Sequence, residues 1–142
     1  MFDTIFGLPV HVLVIHAVVV LLPLMALLTV ITAVRARLRE RFSWWVTGAN
    51  LVVFATTLVA KQSGETLQKA LGGQVARDHG ELGSVLPAFA FFLVAASAGV
   101  AVTSHNRTLG PIAVVISIIA AVAAVVWTVR TGDSGARALW GR

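Results

Sequence analysis

Leu8-PVHVLVIHAVVVLLPLMALLTVITA-Val34 is the stretch that decides the fold, because it contains no charged residue from end to end. At ~1.5 Å of rise per residue, a helix of this length crosses the ~30 Å hydrocarbon core of a bilayer. Three more apolar stretches follow, at about Trp44–Ala60, Leu82–Val102 and Gly110–Val129, and nearly every ionisable residue lies at their ends or between them. The chain reads as an all-α integral membrane protein, a four-helix bundle. Short connections make up-down-up-down the simplest packing. It forms a single membrane domain, 1–142, with a polar outer loop at 61–81 and a C-terminal tail at 131–142.

Composition is a poor fit to a water-soluble fold. The hydrophobic fraction is 58% and the charged fraction 12%, with mean hydropathy +0.90; soluble domains carry roughly 25% charged residues. The net charge of +5 does not point to nucleic acid, because Arg35, Arg37, Arg39 and Arg41 sit between two apolar spans. That placement marks a cytoplasmic loop beside anionic lipid. Arg107, between spans three and four, adds to the same side. Both termini and the 61–81 loop are therefore expected outside a bacterial plasma membrane that the chain crosses several times. The absence of cysteine removes disulfides, thiolate metal sites and cysteine nucleophiles. Asp3 stands where a signal peptide would be basic, and the first apolar run is longer than a signal h-region, so span one is expected to remain in the mature protein.

Along the chain, Pro9 suits a first helical turn and Pro23 a kink in mid-span. Trp44 and Trp45 are interfacial side chains at the start of span two. Gly72–Gly73 divides the outer loop, in which Thr66–Leu71 could form a short interfacial helix. Pro87 falls in the first turns of span three, followed by the small residues Ala95, Ser97 and Gly99, which permit close helix packing. The tail's Gly132 and Gly135 permit tight turns, and Trp140 can anchor at the interface. The two hairpins look only vaguely alike, and no repeat is convincing.

Three histidines converge on the outer side: His11 and His16 near the start of span one, and His79 just before span three. Lys61, Glu65 and Asp133 emerge on that side too. His11 and His16 are five residues apart, hence roughly 140° apart around a helix and ~7.5 Å along it, so they do not share a face. His16 is deeper, more costly to bury without a partner, and ranks first. Its imidazole either fixes helix packing through a hydrogen bond or ligates a metal centre with His79 as second ligand. Two imidazoles on different helices suit haem b, while His16, His79 and Glu65 together would suit zinc or non-haem iron. Lys61 and Glu65, at i and i+4, form either a plain helix-end ion pair or a proton or quinol relay in which Glu65 takes protons near His79. Asp133 could hold the tautomer of His79 or His11. His105, in the inner turn, is read as solvated. No nucleophile–base pair can be identified, so independent catalytic activity is not expected.

Gly7-Leu-Pro-Val-His-Val-Leu-Val-Ile-His16, Ser63-Gly64-Glu65, His79-Gly-Glu-Leu-Gly83 and Arg130-Thr-Gly-Asp-Ser-Gly-Ala-Arg-Ala-Leu-Trp140 together resemble the bacterial membrane-protein family DUF2231, over essentially the whole chain. The resemblance implies four membrane helices and an unassigned biochemical role. Some relatives are joined to Rieske-type iron–sulfur domains, which implies redox work at the outer face. Val12 stands where family members often have proline, and Asp133 where many have histidine. The leading expectation is a His-centred site at the outer face, holding haem b for electron transfer. The alternative is a cofactor-free accessory subunit of a respiratory membrane complex. The bilayer is the expected environment, with a membrane redox complex or a second copy of the chain as partner.

Overall fold

The structure is a computed structural model that describes residues 4–5, 8–70, 72 and 77–140, with side chains described for 11–70, 72 and 77–137. Four helices carry the fold: α1 (Val10–Val34), α2 (Ala36–Ala70), α3 (Arg77–Val102) and α4 (Leu109–Trp140). Ahead of α1, β1 (Thr4–Ile5) and β2 (Leu8–Pro9) pair antiparallel, Thr4 opposite Pro9. Pro9 thus immediately precedes α1 instead of occupying its first turn. Each helix packs on the next and α1 closes against α4, leaving α1 and α3 across the diagonal. This is the up-down-up-down bundle expected from the hydropathy pattern, and all four helices are long and apolar enough to cross a membrane.

Helix ends differ from the apolar boundaries in ways with local causes. The stretch Arg35–Arg41, read as a loop, contains a single non-helical residue, Arg35. Its carbonyl accepts from the amides of Leu38 and Arg39 at 2.9 Å each, starting α2 at once. The Arg39 guanidinium donates back to the Ala33 carbonyl at 3.3 Å, satisfying an end of α1 where the helix dipole favours a cation. At its other end α2 continues through residues 61–70 of the expected outer loop. Lys61 and Glu65 at i, i+4 support those turns. Gly72, at φ +83°, takes the left-handed conformation that follows a helix stop, and its amide bonds the Lys69 carbonyl at 3.2 Å. Gly73 lies outside the described residues. With 35 residues, α2 is about 50 Å long, so its polar ends reach well beyond the hydrocarbon.

The helix α3 begins at Arg77, where Asp78 complements the positive end of the helix. Pro87 consequently lies inside the helix and is buried there. The Asn106 side chain caps α4, accepting from the amides of Thr108 and Leu109 at 2.9 and 2.8 Å. The tail, expected to turn at Gly132 and Gly135, is helical through Trp140. Asp133 and Arg137 pair at 2.9 Å along its surface, and Thr131 and Ser134 donate to carbonyls of the preceding turn. These bonds carry the helix past both glycines. The expected anchoring of Trp140 lies outside the described side chains.

Inside and outside are inverted relative to a soluble bundle. Large apolar side chains such as Val20, Leu27, Val52, Phe92, Ile119 and Val129 are exposed, whereas the core is rich in alanine and hydroxyl side chains. Lipid is as apolar as leucine, so close packing of small residues holds the helices together in place of hydrophobic burial. At mid-bundle Asn50 donates to Thr29 at 2.9 Å, tying α2 to α1. Ser117 donates to the Ala113 carbonyl of its own helix at 2.8 Å, with the Ala96 carbonyl of α3 at 3.3 Å.

Candidate functional site

The antiparallel topology gathers the start of α1, the last turns of α2, the start of α3 and the last turns of α4 at one end of the bundle. His11, in the first turn of α1, places Nδ1 3.1 Å from the Ser63 hydroxyl on α2. Ser63 in turn donates its hydroxyl hydrogen to the Ala60 carbonyl at 3.0 Å. The ring lies directly on Gly64, where a Cβ would come within 2.9 Å of His11 Cε1. His79, in the first turn of α3, is seated in the same manner on α4. Its Nδ1 is 3.0 Å from the Thr131 carbonyl and 3.2 Å from the Ser134 hydroxyl. Ser134 donates to the Thr131 carbonyl at 2.7 Å, and a Cβ on Gly135 would come within 3.0 Å of His79 Cε1.

These networks assign the tautomers. A carbonyl only accepts, so His79 Nδ1 carries the hydrogen. The Ser63 hydroxyl has the Ala60 carbonyl at 3.0 Å for its own hydrogen, and in that arrangement it accepts from His11 Nδ1–H. Both imidazoles, when neutral, therefore carry their lone pair on Nε2, which has no hydrogen-bond partner among the described residues. A tautomer held through the distal nitrogen is the usual preparation of an imidazole that accepts a proton, a hydrogen bond or a metal.

Both histidines line one cavity of about 130 Å³. Its walls include Ile15, Val18, Leu67 and Leu86, and Lys61, Glu65, Gln68 and Ser84 bring polar atoms to it. Lys61 and Glu65 are partly exposed and 4.0 Å apart, a separation that contributes only tenths of a kcal/mol, about 0.2–0.5, to an exposed helix pair. Across the second hairpin, the Trp127 indole donates to the Leu82 carbonyl at 3.0 Å and stacks on Phe89 at 4.9 Å, pinning α3 to α4 just below His79.

His16 is placed elsewhere. It is exposed, outside the cavity lining, and its Nδ1 donates to the Val12 carbonyl of its own helix at 2.6 Å. The structure brings His79 together with His11 and leaves His16, ranked first from the sequence, apart from both. The angular argument separates the two rings as found, and it is the shallower His11 that faces the cavity. Asp133 is bonded to Arg137 on the surface, and the role expected of it is filled by the Thr131 carbonyl and Ser134. Among the described residues no three His, Asp or Glu side chains are grouped to hold a metal ion, so the set His16, His79 and Glu65 is not assembled. Sequence reading missed the glycines under the rings. The recurring Ser-Gly pair at 63–64 and 134–135 is the signal that could have revealed them.

Four apolar helices, each long enough to cross a membrane, around a small and mainly apolar cavity at one end define a multi-pass membrane protein. The chain belongs to DUF2231, described as a family of predicted membrane proteins, whose family model matches residues 7–142. No curated protein and no solved structure matches it.

Proposed function

We propose that the protein provides an acid–base binding site for a small molecule reaching it from the bilayer, at the outer face of a bacterial plasma membrane, in the service of electron transfer. The observation that carries this reading is the pair of imidazoles from diagonal helices. Both are held in the same tautomer with Nε2 unengaged among the described residues, and both line one cavity. Lys61 and Glu65 border that cavity and are partly exposed, which gives protons a route to water. The outer placement rests on the arginine-dense opposite end. Labelling with diethyl pyrocarbonate, read by mass spectrometry, tests the site. His11 and His79 are expected to be modified along with the loop residue His105. Modification of His105 with neither His11 nor His79 reacting would defeat the proposal.

Haem b fits this cavity less well than a small molecule does. The volume of about 130 Å³ is below the roughly 300–1,000 Å³ of ordinary cofactor pockets, and His16 faces away. Protein purified from haem-supplied cells is expected to show no visible absorption band, oxidised or dithionite-reduced. A stoichiometric Soret band lost on His11→Ala or His79→Ala would instead install haem in the site.

A second reading, an accessory subunit of a respiratory membrane complex, draws on a separate feature. Phe89, Phe92, Ala95, Gly99, Ile116 and Ala120 line an apolar groove of about 440 Å³ between α3 and α4, where small residues would admit a partner helix. Purification in mild detergent as a monodisperse chain without companions would remove it.

A further inference from the structure

The two hairpins carry the same device in the same place. On α2 the run is Thr57-Leu-Val-Ala60-Lys-Gln-Ser63-Gly64, and on α4 it is Thr128-Val-Arg-Thr131-Gly-Asp-Ser134-Gly135. In each, the serine donates to the carbonyl three residues earlier, and a histidine from the preceding helix lies on the glycine with Nδ1 toward the serine. A shift of 68 residues, His11 to His79, carries Val18, Leu22, Met25, Thr29, Thr32 and Ala33 onto Leu86, Ala90, Leu93, Ser97, Val100 and Ala101, all of them buried. On the second helices a shift of 71, Ser63 to Ser134, carries Asn50, Val53, Thr57 and Ala60 onto Ala121, Ala124, Thr128 and Thr131, again all buried. Both hairpins start at the same end of the bundle, and α1 lies diagonal to α3. The chain is thus a parallel internal repeat about an axis along the membrane normal, and that axis runs between two equivalent imidazoles.

We propose that this duplicated pair binds one aromatic ring bearing two hydroxyls in para relation, a hydroquinone head group, with each hydroxyl donating to one Nε2. The proposal rests on the acid–base reading above and names the ligand for the same site. Two lone-pair acceptors call for a ligand with two donors, which selects the hydroquinone over the oxidised dione, an acceptor at both ends. The cavity volume of about 130 Å³ is close to the roughly 150 Å³ that accommodates a benzene ring in an apolar protein cavity. Ile15, Val18 and Leu86 supply apolar walls for the ring faces, and the two-fold relation of the imidazoles matches that of a para-diol. A ligand of this class would leave its apolar tail among the lipid around the bundle.

The test uses the full chain in detergent, 15N-labelled at histidine, titrated anaerobically at about pH 8.5, where an imidazole of ordinary pKa is neutral. The probes are hydroquinone, its dimethyl ether 1,4-dimethoxybenzene, and the meta isomer resorcinol. Hydroquinone is expected to shift the Nε2 resonances of both His11 and His79 while leaving His105 unmoved. It should bind about four- to a hundredfold more tightly than the ether, each hydrogen bond accounting for about two- to tenfold, with resorcinol in between. His11→Ala and His79→Ala should each weaken binding by about that single-bond factor. Equal affinity for the ether, or a shift at only one imidazole, would overturn the proposal; neither comparison depends on a variant folding. If hydroquinone fails while both histidines react with diethyl pyrocarbonate, the ligand class falls and the acid–base site stands. If neither reacts, both fall.

Discussion

The clamp on His11 and the clamp on His79 are built alike and finished differently. His79 is held by two acceptors, the Thr131 carbonyl and the Ser134 hydroxyl, and braced beneath by the Trp127–Leu82 hydrogen bond. The hydrogen bond of good geometry that His11 makes is to Ser63, with the Ala60 carbonyl nearby. The residue equivalent to Trp127 in the first hairpin is the small Thr56, whose hydroxyl bonds its own helix. Conversely, Lys61 and Glu65 of the first hairpin correspond to Gly132 and Ala136 in the second, so beyond the two histidines the ionisable groups at the cavity come from the first hairpin. A repeat can thus keep the geometry of a site in both halves while giving anchoring to one and access to water to the other.

The largest effects should come from filling the glycine seats. Gly64→Val and Gly135→Val each force a Cβ to within 3.0 Å of an imidazole, an overpacking expected to cost about 1–3 kcal/mol in thermal unfolding. The loss should be greater at Gly135, because a doubly held His79 has less room to give. Equal losses would erase the difference between the clamps. Next comes Trp127→Phe, which keeps the ring stack on Phe89 and removes the bond to the Leu82 carbonyl. A loss of about 1 kcal/mol is expected, with His79 more perturbed than His11 in histidine spectra. If His11 moves more, the brace does not belong to the second clamp.

Serine substitutions sharpen the comparison further. Ser63→Ala removes the hydroxyl that orients His11, and its ring should then populate both tautomers. Ser134→Ala leaves His79 on the Thr131 carbonyl, and its nitrogen resonances should keep the Nδ1–H pattern. Stability should change by no more than about 0.5–1.5 kcal/mol in either. The smallest effect belongs to Lys61→Ala, at a partly exposed pair 4.0 Å apart; a change beyond about 0.5 kcal/mol would show that the pair is more than a surface contact.

The class of the fold was legible because span length and charge exclusion are local properties of the chain. Leu8–Val34 needs no partner to declare itself, and Arg35 to Arg41 mark a boundary wherever the bundle packs. The ends were less legible. Residues 61–70 and 131–140 are polar and hold Gly64, Gly132 and Gly135, which lower helix propensity, yet both segments are helical. Seating a histidine against Gly64 and Gly135, and pairing Lys61 with Glu65 and Asp133 with Arg137, are the contacts seen there.

The sequence by itself determined a four-span membrane bundle with its ionisable groups gathered at the ends. It also determined that His11 and His16 must face different ways, since five residues turn a helix by roughly 140° beyond a full turn. Which of the two faces inward is a matter of how α1 is rotated against α2 and α4, and no residue of α1 decides that alone. Only the tertiary structure settled it: close approach is permitted where small residues meet, at Gly64 beneath His11 and at Gly135 beneath His79. Rotation about a helix axis is set by contacts between helices, which lie far apart along the chain. The same physics hid the repeat, because its signature pairs residues 52 to 55 positions apart.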